Sequence, residues 1–332
     1  MIGTLLQLGS IEGYLLTVLI WVGIYGLMAL GLNIQWGQTG LFNIGVIGFV
    51  AVGGYTSATL TISPTSAHFG GFGFPFPVGL LGGMLAAGFV AFLIAIPVLQ
   101  LREDYLAIAT IGFQEIIRLV YLNEEWYAGG PRGVQVSAPL SGVWKDVLPG
   151  VNFNWMWVIV LAIMLGVFYV VLERLNHSPF GRVLKSIRED EDVALAAGKN
   201  VYAYKMRSFV FGCMIMGAAG SIQAHYVGYI NPDFFWPLIT FYVWIALLLG
   251  GSGNNKGAIL GAGILMLFLE GTNMLKGYFT FIGSTQLDAM RYALVGLLLI
   301  ALMQYRPEGV LGERKALFES GDQGSGGAAD AD

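Results

Sequence analysis

Residues 77–99 read Pro-Val-Gly-Leu-Leu-Gly-Gly-Met-Leu-Ala-Ala-Gly-Phe-Val-Ala-Phe-Leu-Ile-Ala-Ile-Pro-Val-Leu, without a single charge. At 1.5 Å per residue, a helix of that length outreaches the roughly 30 Å of hydrocarbon in a bilayer. A barrel strand would instead need about ten residues of alternating character. This run does not alternate, and lipid admits only structures that bond every backbone group internally. The stretch therefore reads as a membrane-spanning helix. Residues 155–173 repeat the pattern with bulkier side chains, apolar until Glu173.

Seven further runs of similar length follow the same logic, at about 13–31, 41–62, 104–122, 208–227, 234–250, 257–275 and 288–305. The fold class expected is an all-α polytopic membrane protein with about nine transmembrane helices. Within 104–122, Glu115 and Arg118 fall three apart on one helix face, and the spacing predicts an ion pair inside the bundle. Asp288 and Arg291 have the same spacing near an interface.

The composition agrees. Of the 332 residues, 56% are hydrophobic and 11% charged, where soluble domains carry roughly 25% charged residues. Seventeen basic residues and a formal charge of -4 argue against a nucleic-acid-binding surface. The one cysteine, Cys213, excludes an intrachain disulfide, and histidines at 68, 177 and 225 are too widely spaced for a local zinc motif. No metal, cofactor or catalytic residue is expected in this chain. Forty-eight glycines point to close helix packing, with 253, 257 and 261, and likewise 79 and 83, at four-residue spacing.

Basic residues set the orientation. Arg174, Arg182, Lys185, Arg188, Lys199, Lys205 and Arg207 cluster in one inter-span segment, which the positive-inside rule puts in the cytoplasm. Nine spans then place the amino terminus outside and the carboxyl terminus inside, with 123–154 as the largest outer loop. Residues 1–312 read as one membrane domain and 313–332 as a flexible cytoplasmic tail, acidic from Glu319 and lacking an apolar face.

Two segments carry the functional information. In 178–198, Ser178 is placed to cap a helix that Pro179 begins, and Gly198 to end one. Val183, Leu184 and Ile187 form an apolar stripe, while Lys185 with Glu189 and Arg188 with Asp192 are spaced for pairing. Basic residues come first and acidic last, the wrong order for one helix dipole. Either the segment breaks into two short helices near Glu189, or its charges answer a partner surface. Arg182, Lys185, Arg188, Glu189 and Asp192 are the candidate contacts.

The second segment is Gly31–Gly45, between the first two spans, with Asn33, Gln35, Gln38, Thr39 and Asn43. Backbone unwound at membrane depth must face protein or water, so these residues either line a polar path or support a tight glycine loop. His225 reads as a hydrogen-bonded structural histidine. A search for Gly-x-x-x-x-Gly-Lys-Ser/Thr finds nothing, so any ATP-driven step belongs to another chain.

Taken in order, a set of motifs resembles the LivM-type permease subunits of branched-chain amino acid ABC transporters. They are G-L-F-N-I-G-V-I-G-F-V-A-V-G-G from Gly40 with Tyr55 after it, Leu101–Thr110, Gly129–Gly133, Ser178–Arg182, Ile187–Glu191, Gly250–Gly253 and Tyr305–Gly312. The likeness spans about 31–312. It implies an importer in the cell inner membrane, working by alternating access on branched-chain or other hydrophobic amino acids. It implies as partners a LivH-type second permease, two cytoplasmic ABC ATPases that use ATP and Mg, and an external amino-acid-binding protein. In such permeases the coupling segment often reads Glu-Ala-Ala, three residues, Gly. Here Asp192-Val193-Ala194-Leu195-Ala196-Ala197-Gly198 keeps the spacing and departs at Asp192 and Val193. Asn254-Asn255-Lys256-Gly257 also departs from the Gly-x-x-x-Gly-Pro of the family and implies an unusual turn. A permease for urea or another small polar solute is the neighbouring alternative. A secondary transporter or channel subunit is the alternative from another class, and it would need its own ion-coupling path.

Overall fold

The structure, a computed structural model, describes residues 2–64, 69–136, 144, 146, 151–275, 284–305 and 308–312. The expected tail at 313–332 and the side chains of Asp288 and Arg291 lie outside the described residues. In chain order come α1 (Ile2–Leu32), a π-helical turn (Asn33–Gly37), α2 (Val46–Thr61), α3 (Phe76–Val98), α4 (Glu103–Asn123) and the one-turn α5 (Glu125–Ala128). They are followed by α6 (Asn154–His177), α7 (Pro179–Glu189), α8 (Glu191–Ala196), α9 (Val201–Val227), α10 (Pro237–Gly250), α11 (Asn255–Leu275) and α12 (Ser284–Tyr305). Among the described residues, a helix lies on each of the nine apolar stretches.

Among the described residues, five helices are both long and apolar enough to cross a bilayer: Glu12–Gly37, Phe76–Val98, Asp104–Asn123, Asn154–His177 and Val201–Val227. The apolar helices α2 and α10 are shorter, at 16 and 14 residues. Both are sheathed by neighbours along most of their length. That shielding is what irregular backbone at their ends requires, because loop amides at membrane depth must be covered by protein.

α9 is the central element. It packs on α2, α3 and α1, while α1 also packs on α6 and α11, and α10 lies against α11. Between helices in lipid there is little hydrophobic drive, so close van der Waals contact does the work. Glycines supply it: a Cβ on Gly53 would overlap the backbone of Gly217, one on Gly220 the backbone of Val50, and one on Gly31 the carbonyl of Gly212. The seams expected from spacing are present as well, with Gly79 and Gly83 facing Ser57 and Ser221, and Gly257 and Gly261 facing Gly250.

At one end, Val134–Gln135 pairs antiparallel with Tyr229–Ile230, tying the loop after α5 to the α9–α10 connection. Tyr55 and Tyr121 stack beneath it with centroids 3.9 Å apart. His225 is buried there, bonded to Thr61 Oγ1 at 2.8 Å and to the Ser221 carbonyl at 2.8 Å, with Phe76 edge-on to its ring.

Candidate functional site: the α7–α8 segment and the polar turn beneath it

At the opposite end, the chain leaves α6 and turns at Ser178. Ser178 caps α7, its Oγ accepting from the Gly181 amide at 3.4 Å, and Pro179 occupies the first helical position, where its missing amide costs nothing. The helix stops at Asp190, whose carboxylate accepts from the Val193 amide at 3.0 Å and so caps α8. Of the two alternatives read from the charge order, the structure takes the break. It leaves Arg188 in the last turn of α7 and Glu191 and Asp192 in the first turn of α8, so each charge now complements its own helix dipole.

Leu184, Ile187 and Ala194 are buried against the bundle. Lys205 of α9 reaches Glu191 at 2.5 Å, pinning α8 to the bundle. Arg182, Glu189 and Asp192 are exposed, Lys185 and Arg188 partly so. Arg188 turns inward: its Nη1 donates to the carbonyl of Gly37, at the end of the π-helical turn. Three of the five candidate contacts, Arg182, Glu189 and Asp192, are thus exposed at the surface, Lys185 is half-buried, and Arg188 links the segment to the polar turn. Two exposed residues escaped the reading of the sequence. Val193 is 60% exposed and Leu195 51%, on either side of buried Ala194. A six-residue helix is too short for periodicity to reveal which way its apolar residues point.

The polar turn is sealed within the protein. Asn33, Gln35, Gln38, Thr39 and Asn43 are each no more than 2% exposed. Asn33 donates to Asn255 Oδ1 at 2.9 Å and accepts from the Gly253 amide at 2.9 Å. Asn255 in turn donates to Glu173 at 2.9 Å, joining α11 to α6. Gln35 donates to the Phe209 carbonyl at 2.8 Å and to Cys213 Sγ at 3.2 Å, and accepts from Asn43 at 2.8 Å. Thr39 and Ser208 share a hydrogen bond of 2.7 Å, and both hydroxyls reach the Ile34 carbonyl. Gln38 lies 3.5 Å from Asn255 Oδ1. The π-helical turn offsets carbonyls from the regular ladder, and these side chains take up what it frees. The loop 250–254 is fastened as well: Asn254 accepts from the Lys256 amide at 3.0 Å, capping α11, and donates to the Leu311 carbonyl at 3.1 Å.

Glu115 and Arg118 form an ion pair, with Arg118 Nη2 at 2.6 Å and Nε at 3.0 and 3.1 Å from the carboxylate oxygens. Arg118 also lies over Trp236, 5.1 Å from the ring centroid. The pair is half-buried on the flank of the bundle, with 38% of the Glu115 side chain and 13% of that of Arg118 exposed. The reason is packing: α4 turns Gln114 and Thr110 toward α2 and α10, where they bond Thr240 and the Ile44 amide, leaving Glu115 on the flank. An unpaired charge at the centre of a membrane helix costs about 2.5–3.5 kcal/mol on insertion scales, so pairing is strongly favoured. Among the described residues, no three His, Cys, Asp or Glu gather as metal ligands would.

The chain was compared with known proteins. It is 32% identical over 310 residues to the high-affinity branched-chain amino acid transport system permease protein LivM of Escherichia coli, covering 87% of this chain and 68% of that protein. It is 27% identical over 330 residues to the probable branched-chain amino acid transport permease protein LivM of Methanocaldococcus jannaschii, covering 90% and 93%. To LivH of Escherichia coli it is 23% identical over 312 residues, covering 87% and 91%. No solved structure matches significantly. The family model described as branched-chain amino acid transport system / permease component matches residues 14–303. With apolar helices throughout and that match over most of its length, the chain is an integral membrane permease subunit and belongs to the branched-chain amino acid transport permease family.

Proposed function

We propose that this permease subunit imports branched-chain or other hydrophobic amino acids by alternating access. In this reading it pairs with a LivH-type permease, receives substrate from an external binding protein, and is driven by two cytoplasmic ATPases that hold ATP and Mg. The chain itself hydrolyses nothing, and α7–α8 is where the ATPase pushes. The permeases named LivM and LivH to which it is similar support the substrate class and the heteromeric assembly.

The observation that carries the coupling role is the exposure of Val193 and Leu195 beside Asp192 in a segment otherwise fastened to the bundle. Apolar side chains held out on a short, capped helix, ringed by charge, fit a groove on a soluble protein. Force applied there has a route inward through Arg188 to Gly37 and the polar turn. The test is Val193→Asp combined with Leu195→Asp in the complete transporter. The expected result is normal membrane abundance, loss of the ATPase subunits on purification, and loss of uptake. Retained ATPase and substrate-stimulated hydrolysis in that variant would refute the assignment.

A further inference from the structure

The exposed side chains of α3, and of α6 over residues 155–171, are apolar and of the kind lipid accepts, such as Leu85 and Phe89, and Ile163 and Val167. α4 differs. Its outward positions, 104, 108, 112, 116 and 119, fall on one face by helical spacing, and Glu115 and Arg118 run along the edge of that face. By helix rise, Glu115 lies about 12 Å from the C-terminal end of α4, well inside a span that crosses the bilayer. Its carboxylate has Arg118 as its hydrogen-bonding partner, and the side chain is still more than a third uncovered. Arg118 uses Nε and Nη2 on Glu115 and leaves Nη1 without a hydrogen bond among the described residues. Trp236 covers one side of the guanidinium and is itself exposed. Gly112, on the same face, has open space where a side chain would project, room for another helix to come close. Ionisable residues at membrane depth face protein or a watery cavity, not acyl chains.

We infer that the α4 face bearing Ile108, Gly112, Glu115 and Ile116, with Trp236 beside it, meets the opposing permease subunit of the transporter. The inference rests on the reading above, in which two permeases face one another, and adds which side of this chain does so. The pair then sits at the subunit boundary, where both the desolvated carboxylate and the open guanidinium nitrogen find polar groups.

The experiment uses the full transporter in native membranes, with p-benzoyl-phenylalanine replacing Ile108, Ile116 or, as the conservative aromatic exchange, Tyr105. Control positions are Phe89 on α3 and Ile163 on α6. Illumination is expected to join the three α4 positions, and neither control, to a permease subunit identified by mass spectrometry. An intact complex in which the α4 positions give no such adduct, or in which the adducts come from Phe89 or Ile163, overturns the assignment of this face while leaving the importer reading standing. A chain that purifies with no second permease, neither a relative nor a second copy, overturns both.

Discussion

Each polar atom of a buried amide that lacks a partner costs free energy, and Asn33 shows how much can hang on one side chain. Its carboxamide holds the Gly253 amide on one side and Asn255 on the other, across more than two hundred residues of sequence. Asn33→Ala leaves the Gly253 N–H buried without an acceptor, and each orphaned group of this kind costs about 1–3 kcal/mol. The expected outcome is a lower unfolding temperature in detergent, with Asn255→Ala lowering it similarly and the double variant falling short of the sum, because the two share a bond. Additive losses would show that the two amides act separately. The glycine seams make a sharper contrast. Gly53→Ala pushes a methyl into the Gly217 backbone and is expected to abolish recovery of folded protein, whereas Gly166→Ala, with nothing within 4 Å of the added carbon, leaves recovery unchanged. Quantifying monodisperse protein after extraction checks both.

At the scale of elements, the α7–α8 corner separates two roles that adjacent charges would otherwise blur. Asp192 is exposed, so Asp192→Lys is expected to spare membrane abundance, since surface exchanges typically stay within about 0.5 kcal/mol, while reducing uptake and binding-protein-stimulated hydrolysis. Arg188→Asp removes the donor to Gly37 and sets a carboxylate against a carbonyl, so abundance and coupling are both expected to fall. Equal abundance and equal hydrolysis in both variants and the parent would deny the corner any part in coupling. Much of this corner is legible in the sequence: Ser178-Pro179 announces the start, and the conflict between charge order and dipole offers a break near Glu189 as one of two alternatives, the one the structure takes at Asp190. The apolar spans are legible for the same reason, since length and the absence of charge are local properties. The π-helical turn is not, because Asn33 and Gln35 are satisfied by Gly253, Asn255 and Phe209, contacts that only the tertiary fold brings near. The position of Glu115 escaped for a related reason. Spacing gives the partner three residues on, but which side of α4 faces the bundle is decided by Gln114 and Thr110 finding Thr240 and Ile44.

For the whole molecule, the proposed orientation rests on the basic cluster running from the end of α6 to the start of α9. If that segment is cytoplasmic, the loop at the far ends of α4 and α9, with Glu124 and the Val134–Ile230 pairing, is external. Both regions offer exposed positions for a label, and the chain supplies its own quiet background: Cys213, its single cysteine, is fully buried beneath Gln35. Glu124→Cys and Asp192→Cys, made separately, therefore report on one introduced thiol each. In sealed right-side-out vesicles, a membrane-impermeant maleimide is expected to modify the thiol at 124 and to reach the one at 192 only after the membrane is opened. Inverted vesicles should exchange the two results. Modification of both sites from the same side would break the link between the basic cluster and the cytoplasm, and with it the placement of the ATPase on α7–α8. Modification of 192 alone from outside would keep the helices and reverse the transporter, which the positive-inside bias of the α6–α9 connection opposes.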